Sequence, residues 1–188
     1  MEFDVYGAAS KSAILLVNGQ ADDSVLQRKL RTASFTTSLA QSLAAATDRT
    51  VVVPDIVDEK EHDPAEDLRD VIARFEQIAI LTRSAGYAYG LRAASHPNVS
   101  AVAIWYGNLA DPNLALPSVP TLVVTCEHDF WSSNEAAQKF VADSGAQRIH
   151  LPNGHHAFDV VDDTEESRDA INRTAMFLRD HLPVPDRD

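Results

Sequence analysis

Seven short apolar segments recur along the chain, and longer amphipathic segments separate most of them. Most of these segments are continuously apolar, which is typical of strands that helices cover on both faces. Strands that alternate with helices predict a doubly wound, mostly parallel α/β sheet of about seven strands. The predicted strands are Phe3–Tyr6, Ala13–Val17, Val51–Val53, Ile78–Leu81, Ala101–Trp105, Leu122–Thr125 and Ile149–Leu151.

Capping signals mark the helices between these strands. Asp63-Pro64-Ala65-Glu66 offers an N-cap, a proline at the first helical position and a capping-box glutamate. The other predicted signals are a capping box at Ser132–Glu135 with a stop at Gly145, a cap at Asp163 or Thr164, and a helix within Ser24–Ala46 that breaks near Ser34.

The length of 188 residues suits a single domain spanning residues 1–188, with enough chain to bury a substantial core. No apolar segment approaches the roughly 20 residues that cross a membrane, and the first residues show no signal-peptide pattern. The single cysteine, Cys126, excludes an internal disulfide, so we expect a cytoplasmic protein.

The net charge of −12 bears on the possible partners. Such a surface repels phosphate backbones and anionic lipids, so we expect neither nucleic acid nor a membrane surface as a partner. No G-x-G-x-x-G follows the first strands, which disfavours a nucleotide-binding fold. A metal site formed by His128, Asp129, His155 and His156 is an alternative, because their loops converge, but the absence of zinc-type spacing disfavours it. We predict no metal and no cofactor.

One apolar segment ends in a pattern that carries chemistry. Ile78–Leu81 leads into Thr82-Arg83-Ser84-Ala85-Gly86, and a helix-compatible stretch follows over residues 87–94. A small residue, any residue, serine, any residue and glycine between a strand and a helix is typical of a nucleophile elbow, which exposes the serine Oγ. The tight turn needs small residues on both sides of Ser84, and Thr82 stands where glycine is usual.

The loops that follow parallel strands meet along one edge of a doubly wound sheet. A serine nucleophile needs an imidazole to accept its proton and a carboxylate to orient that imidazole. Asp129 follows the sixth apolar segment, with Glu127 as a nearby alternative acid. His155 and His156 follow the seventh, so the order serine, acid, histidine is that of an α/β-hydrolase.

An oxyanion hole needs two N–H donors. The backbone N–H of Ala85, directly after the serine, is the first candidate. The second would come from the loop after Ala13–Val17, where Gly19 allows close approach of the backbone. We predict the N–H of Gln20 as this donor, with Ala21 as the alternative.

Five residues near these loops are candidate substrate-binding residues: Asn18, Arg83, Tyr87, Tyr106 and Trp131. Arg83 either clamps a substrate carboxylate or forms an ion pair with one of the many acids. The aromatic residues either line an acyl pocket or belong to the ordinary core.

Taken in order, these motifs resemble the dienelactone hydrolase-like branch of the α/β-hydrolases. The resemblance implies that Asp129 is the acid and that His156, followed by Ala-Phe, is the base rather than His155. Ser84 stands where the prototype members have cysteine, and Asn18 stands where histidine is common. The matching stretches are Ala13–Gly19, Val51–Asp55, Ser84–Gly86, Tyr106-Gly107, Glu127–Asp129 and His156–Phe158.

The resemblance implies a serine hydrolase. We expect no lid domain, because only Leu109–Pro120 lies between the Tyr106-Gly107 loop and the strand that leads to Asp129. The expected substrate is a small molecule, a carboxylic ester, lactone or thioester cleaved through an acyl-enzyme on Ser84. Three alternatives stay open: a non-hydrolytic cyclase, acyltransferase or lyase on the same scaffold, a non-catalytic binding module, and Ser84 as an ordinary helix N-cap. The sequence indicates no oligomeric state.

Overall fold

The computed structural model describes residues 3–19, 25–56, 63–112 and 114–183. Within these ranges lie seven strands and six helices. The strands are β1 (Phe3–Tyr6), β2 (Ser12–Asn18), β3 (Thr50–Pro54), β4 (Gln77–Arg83), β5 (Val99–Trp105), β6 (Thr121–His128) and β7 (Gln147–His155). The helices are α1 (Val25–Thr47), α2 (Pro64–Ile72), α3 (Gly86–Ala93), α4 (Asn134–Ser144), α5 (Phe158–Val161) and α6 (Glu165–Asp180).

The strands form one sheet in the order β1-β3-β2-β4-β5-β6-β7. Only the β1–β3 pair among them is antiparallel, and the others are parallel. The predicted doubly wound, mostly parallel sheet is therefore confirmed. The direction of the strand order reverses between β2 and β4, which places the ends of these strands, Asn18 and Arg83, side by side. Ligands of open α/β sheets bind at such a switch point.

Helices cover both faces of the sheet, which explains the continuously apolar strands. Neighbouring residues of a strand point to opposite faces. Leu16 and Leu81 belong to the core under α1 and α6. Leu15 and Ile80 belong to the core under α2, α3 and α4. The sheet thus holds the loops at its carboxyl edge on a rigid, doubly packed layer.

The predicted capping residues position three helices. Asp63 caps α2 by accepting the N–H of Ala65 at 3.0 Å. Thr164, one of the two predicted caps, caps α6 and forms a reciprocal capping box with Ser167. Gly145 ends α4 with φ +70°, in the left-handed conformation that favours glycine.

Two expectations about helix boundaries are wrong. Helix α1 continues through Ser34 without a break, because a single serine inside a helix costs only a few tenths of a kcal/mol, about 0.5 relative to alanine. Helix α4 is capped by Ser133 rather than Ser132, since the Ser133 side chain accepts the helix N–H. Ser132 instead donates its hydroxyl to Asp129.

The connection between β5 and β6 is short. Its described residues, 106–112 and 114–120, contain no helix or strand, so no lid domain is inserted there. Within the described part of the chain, no helix is both long and apolar enough to cross a membrane.

Candidate active site

Ser84 occupies a strained turn between β4 and α3. Its φ of +49° lies in the left-handed region, which residues with a side chain rarely adopt. Its N–H donates to the carbonyl of Trp105 at 3.1 Å, which fastens the turn to the end of β5. Backbone strain of this kind persists where the surroundings over-determine it, and it clusters at functional sites. The strand–turn–helix geometry is that of the predicted nucleophile elbow.

Thr82, at the position where glycine is usual, fits because α3 presents a glycine opposite to it. A Cβ atom built on Gly90 would lie under 3.0 Å from the Cγ2 atom of Thr82, a separation that real Cβ atoms essentially never show. The buried Thr82 hydroxyl donates to the carbonyl of Ala103 at 3.3 Å, so it is also satisfied. The bulk at position 82 is therefore compensated at position 90.

The structure brings Ser84, His156 and Asp129 together, although 72 and 27 residues separate the successive pairs. The Nε2 atom of His156 lies 3.0 Å from Ser84 Oγ. The Nδ1 atom of the same ring lies 3.0 Å from each carboxylate oxygen of Asp129. The hydroxyl, imidazole and carboxylate thus form one continuous hydrogen-bonded row.

The two alternative residues from the sequence are engaged elsewhere. His155 bonds through Nδ1 to Asp162 at 2.9 Å, although it is next to His156 in the chain. Glu127 accepts a hydrogen bond from Asn134 at 3.1 Å and lies 3.3 Å from His150. The geometry therefore places His156 and Asp129 beside the serine, and not His155 or Glu127.

Asp129 is held by several donors inside the protein. Its side chain is 0% exposed, and it accepts the N–H of Trp131 at 2.8 Å and the hydroxyl of Ser132 at 2.6 Å. Burial alone would raise the pKa of Asp129, but the hydrogen bonds from His156, Ser132 and Trp131 outweigh it and lower that pKa. An ionised Asp129 keeps the proton on His156 Nδ1, so that Nε2 is free to accept the serine proton.

Sequence reasoning missed the supporting role of Ser132. The serine looked like a helix cap, because caps and carboxylate donors share the same residue type. Its spacing three residues after Asp129 is the available signal, since a carboxylate in a turn accepts donors two and three residues onward.

The candidate oxyanion hole is partly described. Ala85 is the N-cap of α3, and the first N–H groups of a helix have no acceptor within that helix. Gly19 packs directly against it, because a Cβ atom at Gly19 would lie 2.5 Å from the Ala85 nitrogen. The Gly19 N–H itself donates to the carbonyl of Arg83 at 2.9 Å. The predicted second donor, Gln20, and its alternative, Ala21, lie outside the described residues, so that donor stays a prediction.

Arg83 is buried beside the serine and its guanidinium contacts three partners. Its Nη2 atom forms an ion pair with Asp159 at 2.7 Å. Its Nε atom donates to the Tyr106 hydroxyl at 2.8 Å, and its Nη1 atom donates to Asn18 Oδ1 at 3.1 Å. Burial alone would lower the pKa of Arg83, but Tyr106 and Asp159 outweigh it and raise that pKa. The geometry matches the ion-pair interpretation, and a substrate carboxylate would have to displace Asp159.

Tyr106 is a buried residue between this ion pair and the imidazole. Its hydroxyl donates to Asp159 Oδ1 at 2.7 Å, and its ring centroid lies 4.7 Å from that of His156. Burial, opposed by Arg83 and reinforced by Asp159, raises the pKa of Tyr106 well above its usual range, so the phenol stays neutral. Asp159 lies on the short helix α5, which was not predicted from the sequence.

The other predicted substrate-binding residues differ in exposure. Trp131 is 64% exposed and contacts the ring of Phe130, with a centroid separation of 5.2 Å, so it is not part of the core. Tyr87 is half-buried and packs against the core on the α3 side of the sheet. Contact of either residue with a substrate stays a prediction.

Among the residues that the structure describes, no three His, Cys, Asp or Glu side chains are placed to hold a metal ion together. The chemistry that the described groups can perform is activation of the Ser84 hydroxyl by His156.

No family model matches the sequence, and comparison with curated proteins gave no match. Comparison with solved structures did find similar folds. A Xanthomonas campestris protein, a member of the α/β serine hydrolases without a lid, is 15% identical with a TM-score of 0.71, over 97% of this chain and 89% of that one.

Two further structures show the same likeness. A Klebsiella pneumoniae protein assigned as a dienelactone hydrolase is 16% identical with a TM-score of 0.67, over 92% of this chain and 88% of its own. A hyperthermophilic esterase from the archaeon Pyrobaculum calidifontis is 16% identical with a TM-score of 0.66, over 93% and 76%. The chain therefore has the α/β-hydrolase fold without a lid, and a dienelactone hydrolase-like protein is among its structural neighbours.

Proposed function

We propose that the chain is a serine hydrolase that cleaves a small carboxylic ester, lactone or thioester through an acyl-enzyme on Ser84. The observation that carries this proposal is the hydrogen-bonded row from Ser84 through His156 to Asp129, with 3.0 Å at each contact. The left-handed backbone of Ser84 adds support, because strain of this kind needs a compensating role.

In the acylation step, Ser84 Oγ attacks the carbonyl carbon of the substrate, and its proton passes to His156 Nε2. Asp129 stabilises the imidazolium that results, through the hydrogen bond to Nδ1. The negative charge that develops on the carbonyl oxygen is stabilised by the N–H of Ala85 and by the predicted N–H of Gln20. The bond to the leaving group then breaks, and His156 donates the proton to the departing oxygen or sulfur.

In the deacylation step, a water molecule attacks the acyl carbon and gives a proton to His156 Nε2. The second tetrahedral intermediate uses the same N–H donors. The bond between the acyl carbon and Ser84 Oγ breaks, and the proton on His156 returns to this oxygen. The carboxylic acid leaves, and the serine, imidazole and carboxylate are restored.

Two observations support the proposed substrate class: the identity of the nucleophile and the short connection after β5. Prototype members of the family that the chain resembles use a cysteine thiol as the nucleophile. Here Cys126 is 1% exposed, so its thiol is not accessible to a substrate. Esterases among the solved structures of similar fold support ester cleavage. The described residues of the connection between β5 and β6 place no lid domain over the site, which supports a small substrate.

A fluorophosphonate probe tests the nucleophile and its base. We expect the probe to label the wild-type protein at Ser84, and to label neither Ser84→Ala nor His156→Asn. His155→Asn is the matched control, because His155 neighbours His156 in the chain but bonds to Asp162 instead. The proposed assignment is contradicted if Ser84→Ala is labelled as strongly as the wild type. It is also contradicted if His155→Asn loses labelling while His156→Asn retains it.

Oxygen-18 water separates hydrolysis from the non-hydrolytic alternatives on this scaffold. A hydrolase places one solvent oxygen in the acid product. A cyclase or acyltransferase leaves the product without solvent oxygen, and this outcome would replace the hydrolase proposal while retaining Ser84 as the nucleophile.

A further inference from the structure

Three segments that carry proposed catalytic groups converge on one buried side chain, Arg83. They are the serine turn (residues 83–85), the oxyanion loop (residues 18–19) and the histidine loop (residues 156–159). We propose that Arg83 is a positioning residue, whose three-way contacts hold the serine turn, the oxyanion loop and the histidine loop in register. This inference rests on the proposed function and adds to it a residue that touches no reacting atom.

The first step of the argument is the contact set of the guanidinium. The Nε, Nη1 and Nη2 atoms of Arg83 each contact a different partner: Tyr106, Asn18 and Asp159. The Arg83 side chain is 11% exposed and the Asp159 side chain is 3% exposed. Tyr106 also donates to Asp159, so the arginine, the phenol and the carboxylate close a ring of hydrogen bonds.

The second step is where these partners lie in the chain. Arg83 immediately precedes Ser84. Asn18 immediately precedes Gly19, whose backbone packs on the Ala85 nitrogen. Asp159 follows His156 by three residues, on helix α5. The guanidinium of Arg83 therefore links the serine turn to the oxyanion loop through Asn18 and to the histidine loop through Asp159.

The third step is the contact with the imidazole itself. The ring of Tyr106 packs against the ring of His156, with centroids 4.7 Å apart and planes at 58°. Tyr106 has φ +42°, so its own backbone is also held in the left-handed region. A shift of Asp159 or of the Tyr106 phenol would therefore move the ring that packs against His156.

The fourth step is why arginine is needed at position 83. A guanidinium offers donors in a rigid, planar fork, whereas an ammonium is a compact charge on a flexible stem. Lysine at this position would keep the charge that balances Asp159 but would not reach Tyr106, Asn18 and Asp159 at once. Arg83→Lys therefore separates the positioning role from simple neutralisation of charge.

Steady-state kinetics on Arg83→Lys, Asp159→Asn and the double variant test the inference with a p-nitrophenyl acetate substrate. We expect each single variant to lower kcat on the order of 10²-fold, with KM little changed, because small misplacements of reacting groups cost about this much. The double variant should lose no more than the worse single variant, since both changes break one unit. Tyr106→Phe removes one oxygen of the network and should give a smaller fall in kcat.

Arg148→Lys is the matched control. The Arg148 guanidinium also contacts several partners, Thr125 at 3.0 Å and Asn134 at 2.9 Å, but it lies outside the catalytic segments. We expect its kcat to equal that of the wild-type protein. Folded Arg83→Lys with wild-type kcat, a change confined to KM, or multiplied losses in the double variant would each overturn the inference.

Proton NMR gives a readout that does not depend on turnover. The Nδ1 proton of His156, shared with buried Asp129, should give a far-downfield signal in the wild-type protein and in Ser84→Ala. We expect this signal to broaden or vanish in folded Asp159→Asn and Arg83→Lys, and to persist in Arg148→Lys. An unchanged signal in both Asp159→Asn and Arg83→Lys overturns the positioning role. If the signal changes in these variants as expected but the wild-type protein shows no esterase turnover, only the proposed hydrolase function is refuted.

Discussion

The contact between Thr82 and Gly90 predicts a strongly coupled pair of substitutions under the nucleophile elbow. Helix α3 has glycine at position 90, where alanine would ordinarily stabilise a helix by about 1 kcal/mol. A Cβ atom there would lie under 3.0 Å from Thr82 Cγ2, and Thr82 is fully buried in the central strand β4. Such overpacking costs about 1–3 kcal/mol, and the rigid β-branched side chain places this case near the upper end.

We therefore expect Gly90→Ala to lower the free energy of unfolding by about 2 kcal/mol, or the melting temperature by roughly 4–8 °C. Thr82→Ser removes only the Cγ2 methyl group and should cost about 1 kcal/mol. In the double variant, the new alanine methyl group occupies the vacated space, and its nearest contacts become Ile80 Cγ2 at 3.4 Å and the Cβ atom of residue 82 at 3.5 Å. Its stability should return to within about 1 kcal/mol of the wild type.

Urea unfolding of the four proteins measures this coupling, provided that the dependence on urea is the same for all. We expect a coupling energy of about 2 kcal/mol or more between positions 82 and 90. The labelling rate of Ser84 should fall in Gly90→Ala and recover in the double variant, because the same contact supports the turn. If Gly90→Ala is as stable as the wild type, or if the two effects simply add, the proposed compensation is wrong.

The remaining predictions concern Asp129 and Cys126. Asp129→Asn should stay folded but lower kcat on the order of 10³–10⁴-fold at neutral pH, because an amide no longer fixes the proton on Nδ1 of His156; a loss under tenfold would refute this role. The pKa of Asp129 is lowered in the folded protein, so ionised Asp129 stabilises the folded state. This stabilisation is complete at pH values above the unfolded pKa of about 3.9. That contribution is lost as the pH falls through the lower folded value, so acid titration of unfolding should show the advantage of wild type over Asp129→Asn shrinking below about pH 4. Burial, reinforced by Asp129 and Asp162, raises the pKa of Cys126 to about 12, so iodoacetamide should leave the native protein unmodified and active, and rapid alkylation in the native state would contradict this burial.

Much of the fold could be predicted because its signals are local. All seven strands were predicted at the right places, since apolar runs and capping residues act over a few positions. The break near Ser34 and the cap at Ser132 were wrong for one shared reason. Serine is compatible with a cap, a turn or a helix interior, so the residue type alone does not decide among them.

The candidate site could be predicted only in part from local sequence signals. The motif around Ser84 and the chain order of acid and histidine were sufficient to propose three residues that the structure brings together. The choice of His156 over His155 came from a resemblance, because the two side chains are equivalent by residue type. The network around Arg83 was missed in detail, since Asp159 is one of 28 acidic residues and nothing in its neighbours distinguishes it.

Thr82 illustrates a related limit. It departs from the usual glycine, and the compensating Gly90 is eight residues away on a helix whose packing the sequence does not reveal. A departure from a motif therefore says little until the residue opposite to it is known.

Acid-quench mass spectrometry during turnover of p-nitrophenyl acetate tests the central claim most directly. Ser84 forms a covalent acyl intermediate in this account, so the wild-type protein should carry an acetyl group on the peptide that contains Ser84. The group should be absent from Ser84→Ala and from unfolded protein. Turnover with no acetyl group on Ser84, or with the group on another residue, would contradict the account.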